Sequence, residues 1–416
     1  MRILYLNPCG QMGGAETALL ELMRGIGVAA PDWELHLVLG EDGPLAEKAR
    51  GLGVSVRVAA FPPALARSGD SVSPLGALAT AWETARYARR LDKIVAALQP
   101  DLIHTNGFKM HVLGAWIRPR GTPLAWHIHD YVGLRRWMGR ALRCFRGRAA
   151  AAIVNSRSVQ DDFRRVLPEI QSTVLYNAID LSRFSPAGPA LDLDAASGLP
   201  AAPSGTVRVG LVGTFAHWKG HKVFLQALSQ VPGDTSVRGY IIGGPIYQTG
   251  GSQWTRNQLE NEAGQLGLAG RIGFTGFQDD TAAAMRALDI VVHASTRPEP
   301  FGMVIIEAMA CQRAVVAAAA GGAAEIITDG ENALAHVPGD AVGLRKQILK
   351  LAGDAPLRER LGRAGRITSE QRYSTERLAQ DALAFYREVL ARRKPLGDST
   401  RPVDHRSPVT PVGPAQ

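Results

Sequence analysis

The stretch Asp289-Ile290-Val291-Val292-His293, continued after a short loop by Arg297-Pro298-Glu299-Pro300-Phe301-Gly302-Met303-Val304-Ile305-Ile306-Glu307-Ala308-Met309-Ala310, decides how the chain is built. The first part reads as a buried strand, Pro-Phe-Gly as a bend, and the apolar run after it as a helix. Strand, loop and helix in that order put Glu299 and Glu307 at the carboxyl edge of a parallel sheet, where open α/β folds bind ligands. Gly302 and Met303 then fall in the first helical turn, whose unpaired amides and dipole favour a phosphate. Acids for hydroxyls beside amides for phosphate suit a sugar attached to a nucleoside diphosphate. The competing reading is a pair of solvated surface charges; the strand before the acids and the bend between them argue against it.

Outward from this stretch, short apolar runs alternate with helical ones from end to end, the mark of a doubly wound parallel sheet. In the first half the strands are expected at Arg2 to Asn7, Leu35 to Leu39, Val54 to Ala60, Leu102 to Thr105, Leu124 to His129, Ala152 to Asn155 and Thr173 to Tyr176. Alternation stops in a segment rich in Pro, Ala, Gly and Ser, then resumes at Val207 to Val212, Gly239 to Ile242, Arg271 to Phe274, Ile290 to His293 and Ala314 to Ala317. The reading is two Rossmann-like domains, 1–180 and 207–372, joined by a linker at 181–206. A helix at 373–392 follows, with the option of returning to the first domain. The Pro-rich polar tail at 393–416 is expected to be disordered.

At 416 residues and 46% hydrophobic content the chain can bury two sizeable cores. Cys9, Cys144 and Cys311 show no metal-site spacing, which points to reduced thiols and a cytoplasmic location. No secretory leader and no apolar run long enough to span a bilayer is read, so any membrane contact is expected to be peripheral. A net charge of +9 favours acidic partners. Nucleic acid is set aside, because no helix-turn-helix, finger or aromatic RNA-binding signature accompanies the charge. The segment Leu134 to Arg148 carries Arg135, Arg136, Arg140, Arg143, Arg146 and Arg148, with Leu134, Trp137, Met138, Ala141 and Phe145 at helical spacing. Such a helix either lies on an anionic membrane or packs on its domain with a solvated arginine face.

Three more loops carry candidate chemistry. Gly13-Gly14-Ala15-Glu16 opens the first strand-to-helix connection, where glycines let backbone approach a ligand and the helix end offers donors to an anion. Gly213-Thr214-Phe215-Ala216-His217-Trp218-Lys219-Gly220 does the same in the second half, and Lys219 is placed to neutralise a departing phosphate. Trp126-His127-Ile128-His129-Asp130 puts two histidines on one side of a strand. That pair fits a metal site, a satisfied core pair or a cleft wall. Asp192-Leu193-Asp194 matches a metal-holding Asp-x-Asp but follows no apolar strand, so two linker aspartates are the better reading.

From Arg2 to about Leu390 the chain resembles the retaining glycosyltransferases of family 4, through the Glu-x7-Glu of Glu299 and Glu307, the Gly-Gly-x-Glu of Gly13 to Glu16 and the basic loop ending at Lys219. The resemblance implies the GT-B fold, two Rossmann-like domains facing a cleft. It also implies that Glu299 contacts hydroxyls of the donor sugar and Glu307 the nucleotide ribose. Gly13, Gly14, Thr214, Lys219, Phe301, Gly302 and Met303 would complete the donor site, and His129, with His127 as fallback, would line the acceptor side near the anomeric carbon. Many members carry arginine where this chain has Thr214, which leaves Lys219 as the main cation. The segments Ile153 to Ser156 and Val174 to Asp180 echo the family's interdomain corner, and Gly321 to Ile327 a cleft-facing loop. The implied reaction moves a sugar from a nucleotide-diphosphate donor to a glycan or lipid-linked acceptor in envelope polysaccharide, lipopolysaccharide or glycolipid synthesis. It retains configuration and uses no metal or other cofactor. A nucleotide-sugar epimerase and a non-catalytic sugar-binding subunit are the alternatives. A dinucleotide oxidoreductase is disfavoured, since neither first strand is followed by Gly-x-Gly-x-x-Gly.

Overall fold

The computed structural model describes residues 1–63, 74–117, 121–245 and 252–392, with 74–80 by backbone alone; the tail read as disordered from 393 onward lies outside them. The first half runs β1 (Arg2–Asn7), α1 (Gly14–Ala29), β2 (Glu34–Leu39), α2 (Pro44–Gly51), β3 (Ser55–Val58), α3 (Pro74–Leu98), β4 (Leu102–Asn106), α4 (Phe108–Ile117), β5 (Leu124–Ile128), α5 (Arg136–Cys144), β6 (Ala151–Val154), α6 (Arg157–Val166) and β7 (Ser172–Val174). Its strands form one all-parallel sheet in the order β3-β2-β1-β4-β5-β6-β7. A short helix α7 (Leu193–Ser197) leads into β8 (Val207–Val212), α8 (His221–Ser229), β9 (Val237–Ile242), α9 (Arg256–Gln265), β10 (Ile272–Gly276), α10 (Thr281–Arg286), β11 (Ile290–His293), α11 (Met303–Ala310), β12 (Ala314–Ala318), α12 (Ala323–Ile326), β13 (Leu334–His336), α13 (Ala341–Ala352), α14 (Ala355–Arg372) and α15 (Thr375–Ala391). The second sheet is also parallel, ordered β10-β9-β8-β11-β12-β13.

Both sheets carry helices on both faces, so their central strands read as unbroken apolar runs: every residue of β4, β5, β6, β11 and β12 is buried. In each sheet the strand order reverses between the first strand and a neighbour reached by a long crossover, β1 beside β4 and β8 beside β11. Loops diverge at such a switch point and leave a crevice. Gly13, Thr214, Lys219 and Glu299 all lie on loops that leave these four strands.

Helix α15 follows the second sheet in sequence but packs on the first. Leu378, Ala382, Leu383, Phe385, Tyr386 and Val389 join the core of β1, β2, α1 and α2. Gly25 in α1 makes the contact close: a Cβ there would lie 2.8 Å from the carbonyl oxygen of Thr375.

Three expectations change. The linker is not loop throughout, because Asp192 caps α7 by accepting from the Ala195 amide, and Asp194 is buried. Asp194 accepts from Arg238 (2.7 Å), Tyr240 (2.6 Å) and the Ala202 amide (2.9 Å), so this aspartate docks the linker on β9. Burial opposes its charge, yet the Tyr240, Ala202 and Arg238 donors outweigh that and hold its carboxyl well below the usual range. The second sheet has a sixth strand, β13, whose three residues Leu334-Ala335-His336 include no β-branched side chain to mark it. The apolar residues on and just before α5 do not share one packed face: Leu134, ahead of the helix, and Trp137 are 77% and 80% exposed, while Gly139 and Leu142 are the buried positions.

Candidate functional site

The loop after β11 is built around Glu299. Its amide and carbonyl groups are fixed by a parallel bridge to Gly321, and the Gly322 amide donates to the Glu299 carbonyl at 2.7 Å. Gly321 sits at φ +65°, and a Cβ there would lie 2.5 Å from both that carbonyl oxygen and the Tyr131 hydroxyl. The loop after β8 presses equally close. Gly220 has φ +78°, and a Cβ would lie 1.8 Å from the carbonyl oxygen of Ala294. This approach delivers Lys219 to Glu299, with Nζ 2.5 Å from Oε1 and 4.3 Å from the Trp218 ring centroid.

The other oxygen of Glu299, Oε2, accepts from His293 Nε2 at 2.6 Å and from Ser295 Oγ at 2.6 Å. Glu299 is only 7% exposed. Burial alone would raise its pKa, but Lys219 and His293 outweigh that and keep the carboxyl ionised far below the ordinary range. From sequence alone His293 reads only as the last residue of an apolar strand, and the structure adds it to the site. The signal was present in His293-x-Ser295-x3-Glu299, three polar groups on one loop.

Glu307 lies in the second turn of α11 with no ion-pair partner among the described residues, and burial pushes it up to about 7 against the opposing pull of Arg183 and Lys219. The helix itself begins at Met303, and Gly302 caps it at φ +112° without a side-chain hydrogen bond. Its first-turn amides therefore face no side-chain cap and suit an anion. Across the cleft, α1 likewise begins behind Gly13 with no side-chain cap. A Cβ on Gly14 would meet open space, so the protein's own packing does not require glycine there. Thr214 lies half-buried in the loop after β8. Phe301 is 3% exposed, with its ring 6.2 Å from Tyr176 and 5.8 Å from Tyr373, so its side chain forms the wall behind the loop and its backbone is the part left to face a donor.

His129 closes the first-domain side. The carbonyl of Cys9 accepts from Asn7 Nδ2 (2.6 Å), Asn7 Oδ1 from Asn106 Nδ2 (2.6 Å), and Asn106 Oδ1 faces His129 Nε2 at 2.5 Å. Each amide fixes the orientation of the next, so His129 Nε2 must carry the proton. Burial lowers the His129 pKa to about 3, and the ring is neutral at physiological pH. His127 is more deeply placed, its Nδ1 3.2 Å from His104 Nε2, and His104 in turn meets the Tyr386 hydroxyl of α15 at 2.8 Å. Among the described residues no group of three or more His, Cys, Asp or Glu has the arrangement of a metal site.

Two contacts bring the domains together at this point. Tyr131, two residues beyond His129, donates to the Glu299 carbonyl at 3.3 Å. Glu325 on α12 accepts from the amides of Arg157 (3.0 Å) and Ser158 (2.8 Å) at the start of α6, and from the Tyr176 hydroxyl (2.9 Å). A carboxylate of one domain thus caps a helix of the other.

Residues 200–368 match the family described as Glycosyl transferases group 1, and residues 12–183 match Glycosyltransferase Family 4. The chain is 34% identical over 165 residues to the lipopolysaccharide core biosynthesis glycosyltransferase LpsE of Rhizobium meliloti, covering 40% of this chain and 45% of that one. It is 31% identical over 222 residues to the lipopolysaccharide core biosynthesis mannosyltransferase LpcC of Rhizobium leguminosarum bv. viciae, covering 53% and 61%. The matches thus span about half the length of these curated relatives. Among solved structures, Anabaena HepE in complex with UDP-glucose superposes with a TM-score of 0.76 at 26% identity, over 93% of this chain and 100% of that one.

Proposed function

The chain belongs to the group 1, family 4 glycosyltransferases, and we propose that it is a retaining enzyme that moves a sugar from a nucleoside-diphosphate donor to a glycan or lipid-linked acceptor of the cell envelope. The observation that carries this reading is the meeting of Lys219 and Glu299 in the crevice between two switch points, flanked by the uncapped helix starts of α1 and α11. In this reading the donor diphosphate lies between those amides and takes Lys219 as its counter-charge, with no metal. Glu299 accepts from sugar hydroxyls, Glu307 from the ribose diol, and His129 faces the sugar from the first domain. The leaving phosphate accepts the acceptor's proton as the glycosidic bond breaks, and the new bond forms on the same face. Domain closure through Glu325 and Tyr131 excludes water from the cleft and suppresses donor hydrolysis. The complex of HepE with UDP-glucose and the core-biosynthesis relatives favour a UDP-hexose and an envelope acceptor.

The first experiment is thermal shift and donor hydrolysis with UDP-, GDP-, ADP- and dTDP-sugars, each with EDTA and with Mg²⁺. A UDP-sugar should stabilise the protein and be slowly hydrolysed regardless of EDTA, with the released sugar keeping its anomeric configuration by NMR. Failure of all four nucleotides to stabilise it sinks the donor reading, and loss of hydrolysis in EDTA sinks the metal-free one.

The acceptor side includes a membrane-facing helix in this proposal. Exposed Leu134 and Trp137 stand among arginines, and Arg140 lies 4.9 Å from the Trp137 ring centroid, an arrangement suited to an anionic bilayer surface. The protein should sediment with phosphatidylglycerol vesicles and not with phosphatidylcholine, and Trp137→Ser should weaken this. Equal sedimentation of the variant would remove the helix from the account.

A further inference from the structure

We propose that His293 and Ser295 are a positioning pair that holds one oxygen of Glu299 throughout turnover, leaving only the other oxygen to pass between Lys219 and a hydroxyl of the donor sugar. This rests on the glycosyl-transfer reading and extends it to residues that touch no substrate.

The two oxygens of Glu299 have different surroundings. Oε2 faces donors sealed in the protein: His293 is 3% exposed and Ser295 1%. Oε1 faces Lys219, whose side chain is 20% exposed on the cleft side. Ser295 Oγ also lies 3.1 Å from His293 Nε2, so the three groups form a closed triangle. Donor accounting fixes the protons. An ionised Glu299 can only accept, so the serine hydroxyl gives its hydrogen to Oε2 and the imidazole must present Nε2–H, shared between Oε2 and Ser295 Oγ. His293 Nδ1 is buried without a partner, as a bare lone pair can be at lower cost than an N–H. The His293 backbone is held in turn, its carbonyl facing His336 Nε2 at 3.2 Å.

The consequence is mechanical. A lysine that must reach a diphosphate has to leave Glu299, and a carboxylate losing its only cation while free to rotate would turn away from the sugar. With Oε2 tied to two buried donors, Lys219 can leave without the carboxylate moving. Among the described residues Lys219 and His293 are the charged or titratable groups on the Glu299 carboxylate, Tyr131 faces its backbone carbonyl, Ser295 adds an uncharged donor, and His336 stands behind His293.

The test is a series on the full chain with UDP-glucose as donor: His293→Leu, His293→Gln, Ser295→Ala and, as the control for the site itself, Glu299→Gln. His293→Leu should lower kcat by more than about 10-fold while leaving the donor KM within about threefold. It should also move the acid limb of kcat, measured with the donor saturating so that the titration of Glu307 in donor binding drops out, up by about one pH unit or more, because Glu299 is no longer held ionised by the imidazole. Ser295→Ala should do the same to a smaller extent, and His293→Gln, which keeps a donor, should recover most of the loss. A merely structural role would lower the melting temperature and leave the acid limb in place. If His293→Leu fails to fold, Ser295→Ala carries the test, since it removes one oxygen. Independently of any donor, the imidazole ¹⁵N spectrum of the wild type should show His293 protonated at Nε2, and Glu299→Ala should lose that fixed tautomer. Full activity in Glu299→Gln overturns the glycosyl-transfer site. An inactive Glu299→Gln beside His293→Leu and Ser295→Ala with wild-type kcat and acid limb, or a His293 proton at Nδ1, overturns the positioning pair alone.

Discussion

The two walls of the cleft treat their polar groups in opposite ways. On the first-domain wall, burial strips the histidines of charge: His129 and His104 fall to about 3, and His111 and His127 well below their ordinary value. Among the described residues none of these histidines is paired with a carboxylate; they are joined by hydrogen bonds through Asn106, Asn7 and Tyr386, and Glu16 beside Asn7 is itself pushed towards its neutral form by burial. On the second-domain wall the same burial acts on Glu299, yet Lys219 and His293 hold it charged. Under the proposed transfer, one wall would offer sugar hydroxyls a surface of uncharged groups, and the other a charge pair that a diphosphate could separate. The difference assigns orientation to the first domain and charge compensation to the second.

The largest effect should follow from breaking the charged wall. Lys219→Ala removes the counter-charge of the leaving phosphate and should lower transfer by more than about 10-fold, or about 1.4 kcal/mol of transition-state stabilisation. His129→Asn removes one neutral contact, worth about 0.5 to 1.5 kcal/mol, and should cost about two- to tenfold. Measured side by side with UDP-glucose, the lysine variant should be the slower. The reverse order would show that the neutral wall carries more of the barrier than its charge state suggests.

The contrast also marks what the sequence discloses. Strands buried on both faces leave unbroken apolar runs, so twelve of the thirteen strands among the described residues are legible, and only β13 escapes, which lacks the β-branched residues that mark the equally short β7. Glu299, Lys219 and the glycines stand out because loops at a switch point must carry special residues. The partners of Glu299 do not, because His293 ends an apolar strand and its role depends on where the loop folds back. Asn7 and Asn106 were hidden likewise, as polar residues closing buried strands whose pairing needs β1 beside β4. Phe301 adjoins the helix-capping Gly302 in sequence, while its ring turns into the aromatic cluster with Tyr176 and Tyr373. Adjacency along the chain does not fix the direction of a side chain at a bend.

Glu307 supplies a smaller and sharper test, because it sits on the charged wall without sharing the protection of Glu299. Burial raises it to about 7, with Arg183 and Lys219 pulling the other way. Only the ionised carboxylate accepts from both hydroxyls of a ribose, so donor affinity should be full above about pH 7 and fall as the pH drops through that value. The sign for stability is the reverse. A carboxyl whose folded pKa exceeds its unfolded value loses stability as the pH rises from the unfolded value through about 7, so Glu307→Gln should raise the melting temperature at about pH 8 and leave it nearly unchanged at about pH 4. Isothermal titration with UDP across this range should show the wild-type affinity rising with pH, Glu307→Gln flat, and His129→Asn rising as the wild type does. A slope that survives in Glu307→Gln and disappears in His129→Asn would place the titrating group on the first-domain wall, and the division between a neutral and a charged face of the cleft would have to be abandoned.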